Sequence, residues 1–169
     1  MYRLKVKVHQ DMSQHDLDEV IQIKSTQWSS YSYHDHLEWI TKNLKSSDIH
    51  IVLMEDGKNL AYVNLIDIDL EIDGSKRKGL GVGNVCAIRK GQGFGHKIMD
   101  HVNRYITESE NIGLLFCKKP LLKFYKNLGW TVLDSKSYAI NCENLEVMIL
   151  NEQFSVIEGV SIKYDGIIF

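Results

Sequence analysis

From Arg3 to His9 apolar and polar residues alternate, which predicts a strand with Leu4, Val6 and Val8 on one face. The period then lengthens. Leu17, Val20, Ile21 and Trp28 recur at helical spacing behind Ser13-Gln14-His15-Asp16, which approximates a capping box. A stretch rich in Ser and Tyr, Ser29 to Tyr33, separates this helix from a second one carrying Leu37, Ile40 and Leu44. Ile49 to Glu55 and Leu60 to Ile72 read as strands around the tight turn Asp56-Gly57, and Asp73-Gly74-Ser75 leads into the strand that follows. The apolar run Val82 to Ile88 is joined by a glycine-punctuated turn to a helical pattern from Phe94 to Ile106. Beyond it come a strand at Leu114, a short helix begun at Pro120, and strands near Trp130, near Tyr138 and from Glu146 to Leu150. Pro120 is the only proline, and the first turn of a helix tolerates its missing N–H. The mixture predicts an α/β fold of the α+β kind. No repeat or linker divides it, so residues 1–169 are expected to form a single domain.

The turn Arg89-Lys90-Gly91-Gln92-Gly93-Phe94-Gly95 is the most informative segment. Glycines let the backbone approach a ligand closely, and the first N–H groups of the following helix lack partners inside it. An anion supplies that partner. The helix dipole favours it by ~0.3–1 kcal/mol, and Arg89 and Lys90 add formal charge. Two common phosphate motifs are excluded by spacing. A dinucleotide fingerprint fails because its last glycine falls on His96 or on Asn84, and a P-loop fails because its second glycine also falls on His96.

What remains, Lys90-Gly91-Gln92-Gly93-Phe94-Gly95, resembles the [QR]-x-x-G-x-[GA] pyrophosphate-binding signature of the GNAT superfamily, the acyl-CoA-dependent N-acyltransferases. Lys90, Gly93 and Gly95 fall on its marked positions. A second likeness lies downstream, in Gly113-Leu114-Leu115-Phe116-Cys117 and Phe124-Tyr125-Lys126-Asn127-Leu128-Gly129-Trp130, similar to the strand and helix end that close the family's core. The resemblance implies a mixed, mostly antiparallel, twisted sheet flanked by helices and splayed where coenzyme A enters. It also implies acetyl-CoA as co-substrate and direct transfer of the acetyl group to a primary amine of a small molecule. Pyrophosphate would be held by the backbone of Gly91, Gln92, Gly93, Phe94, Gly95 and His96 with Lys90 beside it. The strand through Val85, Cys86 and Ala87 would pair with the pantetheine amides, with Val85 or Cys86 polarising the thioester carbonyl.

In the same likeness Tyr125 takes the place of the tyrosine that protonates the departing thiolate. A phenol near its ordinary pKa of about 10 is in the correct state to do so. The plain reading of the residues makes Tyr125 a packing residue between Phe124 and Leu128; both stand. Cys86 is read as a small buried hydrophobe rather than a nucleophile, since no activating base lies beside it in sequence. Two departures from the family pattern stand out. Lys90 replaces the usual Arg or Gln, keeping charge but losing the guanidinium fork. The strand position where relatives often carry a Glu reads Gly81-Val82-Gly83-Asn84, leaving the general base unassigned and leaving open a non-catalytic coenzyme A-binding or sensing module. An acyltransferase for longer acyl-CoA is equally open.

Composition narrows the partners. With 20 Lys and Arg against 22 Asp and Glu, and no basic block, nucleic acid is not expected. No long apolar run suggests a membrane span, and Cys86, Cys117 and Cys142 lack C-x-x-C spacing, which suits reduced thiols in a cytoplasmic protein without a metal. Monomer and homodimer both remain open. His34 and His36 do not share a helix face and are not taken as metal ligands. Asp67, Asp69, Glu71 and Asp73 alternate with apolar residues, forming either a cation-attracting face or a solvated edge paired with Lys76, Arg77 and Lys78. The resemblance puts Trp28, Tyr31, Tyr33, His34 and Trp39 where the family often builds its acceptor pocket, while the helical spacing of Trp28 and Trp39 by itself reads equally as core. Finally, Leu115 to Trp130 and the apolar end Gly166 to Phe169 are faintly similar to aminoglycoside 2′-N-acetyltransferases, which implies an aminosugar or polyamine as acceptor.

Overall fold

Two serines set the start of the first two helices. In α1 (Gln14–Gln27) the Ser13 hydroxyl accepts the Asp16 N–H at 3.2 Å while the Asp16 carboxylate accepts the Ser13 N–H at 2.9 Å. Ser32 and Asp35 repeat this box at α2 (Tyr33–Asn43), at 3.2 and 2.7 Å. The structure is a computed structural model and describes residues 1–151 and 161–169.

Two compact units are formed. The first comprises Met1–Ile66 and Gly83–His101, the second Asp67–Val82 and Val102–Phe169. In the first, β1 (Tyr2–Val8), β2 (Ile49–Glu55), the first part of β3 (Lys58–Ile72) and the last part of β4 (Ser75–Ala87) lie in the order β1-β2-β3-β4. β2 pairs antiparallel with both β1 and β3. Asp56 and Gly57 both take positive φ, 50° and 75°, the two-residue hairpin geometry that the Asp-Gly pair predicts. α1, α2 and the start of α3 (Phe94–Glu108) belong to this unit, whose core includes Val20, Ile21, Ile40, Leu53, Val63 and Ile98.

β1 departs from expectation. Val6 is 54 % exposed rather than part of a buried face, because Lys5 and Lys7 turn toward α1 and meet the Asp16 carboxylate at 2.6 Å each. The strand also stops at Val8, and His9–Asp11 forms a single 3₁₀ turn. Asp16 is buried, which opposes its charge, yet Lys5, Lys7 and Ser13 together hold its carboxyl well below the usual carboxylate range. Replacing it with Asn keeps the backbone N–H that Ser13 caps but removes the carboxylate charge that both lysines meet, an expected loss of about 2–4 kcal/mol. A depressed folded-state pKa gives stability that is complete above the unfolded value and fades as pH falls through it toward the folded one. Urea denaturation should therefore show the wild-type advantage over Asp16→Asn at pH 6 shrinking below about pH 4.

In the second unit the order is β3-β4-β5-β8-β6, with β5 at Ile112–Cys117, β6 at Thr131–Val132 and β8 at Glu146–Leu150. Every residue of β5 is buried, as befits a central strand, and β8 runs antiparallel to it. The β4–β5 pairing is parallel and covers only Gly79↔Ile112 to Gly81↔Leu114, after which β4 runs on to Ala87 without that partner. The remaining strands are β7 (Tyr138–Ala139) and β9 (Ile162–Lys163), the latter not foreseen, with β9 parallel to β7 and antiparallel to the end of β3. Leu114, Leu115, Val147, Met148 and Trp130 fill the core beside Val102 and Ile106 of α3. Pro120 starts a 3₁₀ turn, Lys119–Leu121, that runs into α4 (Leu122–Asn127). The sheet is mixed and mostly antiparallel, as expected.

Candidate acyl-CoA site

The first unit contains the glycine turn. Lys90 to Gly93 are exposed, and Gly91 and Gly93 hold φ of +77° and +74°. A Cβ at either position would meet nothing within 4 Å, so it is the left-handed backbone and not crowding that demands glycine. The first i→i−4 bond of α3 runs from the Lys97 N–H to the Gly93 carbonyl at 3.0 Å. The N–H groups of Phe94 and Gly95 precede it and have no acceptor inside the helix. Open space, left-handed glycines, a helix N-terminus and the charges of Arg89 and Lys90 suit a diphosphate.

Just before the turn, β4 is distorted. Asn84 adopts φ 54° within the strand, a conformation that Asn tolerates better than most residues, and its amide donates to Asn64 Oδ1 at 2.8 Å. Such irregularities interrupt a ladder and re-aim the strand that follows. Val85, Cys86 and Ala87 come next, Cys86 buried and the other two half-buried. Nothing in the binary pattern revealed this kink, although an Asn flanked by Gly83 was a signal for it.

Tyr125 belongs to the second unit, and the sequence there explains its placement. α4 ends in a Schellman motif: the Trp130 N–H bonds to the Tyr125 carbonyl at 3.1 Å and the Gly129 N–H to the Lys126 carbonyl at 3.0 Å, with Gly129 at φ +88°. Asn103 of α3 locks the exit, donating to the Leu128 carbonyl at 2.7 Å and accepting the Trp130 indole N–H at 2.9 Å. The Leu-Gly-Trp run is thus a helix stop anchored to α3. Tyr125 is buried at 6 % exposure with the Phe124 ring edge-on at 4.9 Å. Burial, and secondarily Cys117, pushes its phenol well above the ordinary value, and its hydroxyl makes no hydrogen bond to another described residue. It is a protonated donor without an acceptor among the described residues.

An acetyltransferase (GNAT) domain model matches residues 9–133. The chain belongs to the GNAT acetyltransferase family. Among solved structures, an acyl-CoA N-acyltransferase from Pseudomonas aeruginosa aligns with TM-score 0.64 and 20 % identity over 89 % of this chain and 99 % of its own. ElaA from Escherichia coli aligns at 0.64 and 17 %, over 89 % and 99 % respectively. The ribosomal-protein-S18-alanine N-acetyltransferase of Escherichia coli gives 0.60 and 13 %, over 88 % and 93 %. These likenesses are of fold. No curated protein matches the chain.

Within this GNAT protein the remaining candidates sort as follows. The acid row of β3 is an ion-paired surface: Lys78 meets Asp69 at 2.8 Å, Lys163 meets Glu71 at 2.6 Å, and the Asp73 carboxylate accepts the Ser161 N–H at 2.9 Å. Trp28 and Trp39 are only half-buried, so neither is a core residue, and Trp28 caps α1 instead of lying inside it. His36 is buried while His34 is exposed, and among the described residues no group of three or more His, Cys, Asp or Glu is placed to hold a metal. No helix among the described residues is long and apolar enough to cross a membrane. Burial, only partly offset by Lys24, pushes the Cys86 thiol up to about 12, so almost none of it is thiolate at neutral pH. Intact-protein mass spectrometry after incubation with acetyl-CoA should accordingly show no acetyl adduct on Cys86, and Cys86→Ala should keep wild-type turnover within about threefold.

Lys24 of α1, 2 % exposed, drew no notice in the sequence, and His36 of α2, weighed there only as a metal ligand, is 4 % exposed.

Proposed function

We propose that this protein is an acetyl-CoA-dependent N-acetyltransferase that moves the acetyl group directly to a primary amine of a small molecule. The observation that carries the reading is the exposed turn with two left-handed glycines feeding the unladdered N–H end of α3 beside Arg89 and Lys90. Acetyl-CoA, when bound, supplies an activated thioester. The backbone of Gly91, Gln92, Gly93, Phe94, Gly95 and His96, with the Lys90 ammonium, binds its pyrophosphate. Beyond Gly81 the backbone of β4 is free of β5, so Val85, Cys86 and Ala87 offer N–H and C=O groups to an extended amide arm, and an N–H of Val85 or Cys86 stabilises the developing oxyanion. Tyr125 keeps its proton until the thiolate leaves and then gives it up.

The test is release of free thiol from acetyl-CoA in the presence of a panel of primary amines, aminosugars and polyamines among them. Amine-dependent release with a matching N-acetyl product supports the reading. Coenzyme A binding without turnover of any amine would instead favour a sensing module, and faster turnover with longer acyl-CoA would reassign the donor.

A further inference from the structure

A largely buried lysine lies against an aromatic ring in the first unit. The Lys24 ammonium sits 4.6 Å from the centre of the Trp39 ring in a residue that is 2 % exposed, and burial and Cys86 are what shift its charge equilibrium, with no carboxylate among them. Buried charges are ordinarily paired, because desolvation is costly and a π face offsets only part of it. Burial lowers the Lys24 pKa to about 8, with only Cys86 acting the other way, so the side chain is still mostly charged at neutral pH. On the facing helix the His36 ring nitrogen Nε2 is also buried without a partner. Its other nitrogen is taken by the Trp28 backbone, and burial, followed by the Lys24 charge, lowers its pKa, so the imidazole is neutral and Nε2 presents a lone pair. The exposed Tyr31 ring stands edge-on to His36 at 6.0 Å. A cation on which no carboxylate acts, and an acceptor without a partner among the described residues, therefore lie in the same unit between α1 and α2.

We propose that Lys24 and His36 form the acceptor subsite and select an amine that also carries a carboxylate, as an amino acid does, with the carboxylate on the Lys24 ammonium and an amine N–H on His36 Nε2. This rests on the acyltransferase reading for the fate of the amine, but not for the binding itself. A polyamine or aminosugar brings only positive charge to a buried cation and is disfavoured.

Matched pairs test it: L-phenylalanine against phenethylamine, L-lysine against cadaverine, and glycine against methylamine, in wild type and Lys24→Met. Binding is read by calorimetry on the coenzyme A-loaded protein, and turnover by thiol release. Wild type should favour the carboxylated member of at least one pair by roughly 10- to 100-fold, the range of a hydrogen bond to a charged group, and Lys24→Met should erase that preference. Lys24→Met should also melt at or above the wild-type temperature, since it removes a buried charge at similar volume. Carboxylate-dependent binding with no turnover upholds the subsite and sinks the transferase reading. Turnover of the decarboxylated amines with no carboxylate preference sinks the subsite and leaves the transferase. A Lys24→Met variant that fails to fold would mean that the ammonium has structural partners, and would overturn the proposal.

Discussion

Gly93→Asp is expected to abolish saturable binding of acetyl-CoA, weakening it by at least about 100-fold in a calorimetric titration. A carboxylate about 5 Å from a phosphate charge, at an effective dielectric near 20, costs roughly 3 kcal/mol per charge pair, which is about 100-fold in affinity. The backbone contributes separately: Gly93 sits at φ +74°, where a side chain adds roughly 1–2 kcal/mol of strain. Gly93→Ala separates the two effects. A Cβ there meets no atom within 4 Å, so the alanine variant carries the backbone strain without a clash or a charge. Its binding should fall by about tenfold, and raising the salt concentration should narrow the gap between the aspartate and alanine variants, because exposed charges are screened. An aspartate variant that binds within a few-fold of wild type would place the pyrophosphate somewhere other than this turn.

The same turn shows why the sequence was readable where it was. Its chemistry is local: glycines with positive φ, basic neighbours and a helix start are consecutive residues, and each has a reason that does not depend on distant packing. The hairpins at Asp56-Gly57 and Asp73-Gly74 were legible on the same grounds, as both residues of each pair take positive φ. So was the end of α4, where Leu-Gly-Trp is a backbone stop before it is anything else. Features made by long-range meetings were not legible. Lys5 and Lys7 look like the polar face of an edge strand until Asp16 arrives from α1. The kink at Asn84 depends on Asn64, twenty residues earlier, in β3. Lys24 reads as one more exposed helix lysine, because it is buried by a meeting with Trp39 of α2, and no period in a single chain announces that meeting.

Tyr125→Phe is expected to lower kcat by about 100-fold, at the low end for loss of a general acid. The low end applies because an alkyl thiol near its ordinary pKa of about 8.5 departs tolerably well as the thiolate, so the phenol assists a leaving group that already leaves. The KM for acetyl-CoA should hardly move, since the turn and β4 carry the proposed binding contacts and the phenol acts late. Stability should hardly move either, because the hydroxyl makes no hydrogen bond to another described residue and the ring contact with Phe124 survives in phenylalanine. The pH profile supplies the sharper test. A general acid works only below its own pKa, and burial pushes that of Tyr125 well above the ordinary phenol value. Wild-type kcat should therefore rise as the acceptor amine loses its proton and then stay level to at least about pH 10, with no descending limb from the phenol. If Tyr125→Phe instead keeps kcat within about threefold of wild type, the residue's work is the packing that it shares with Phe124, and the thiolate takes its proton from water.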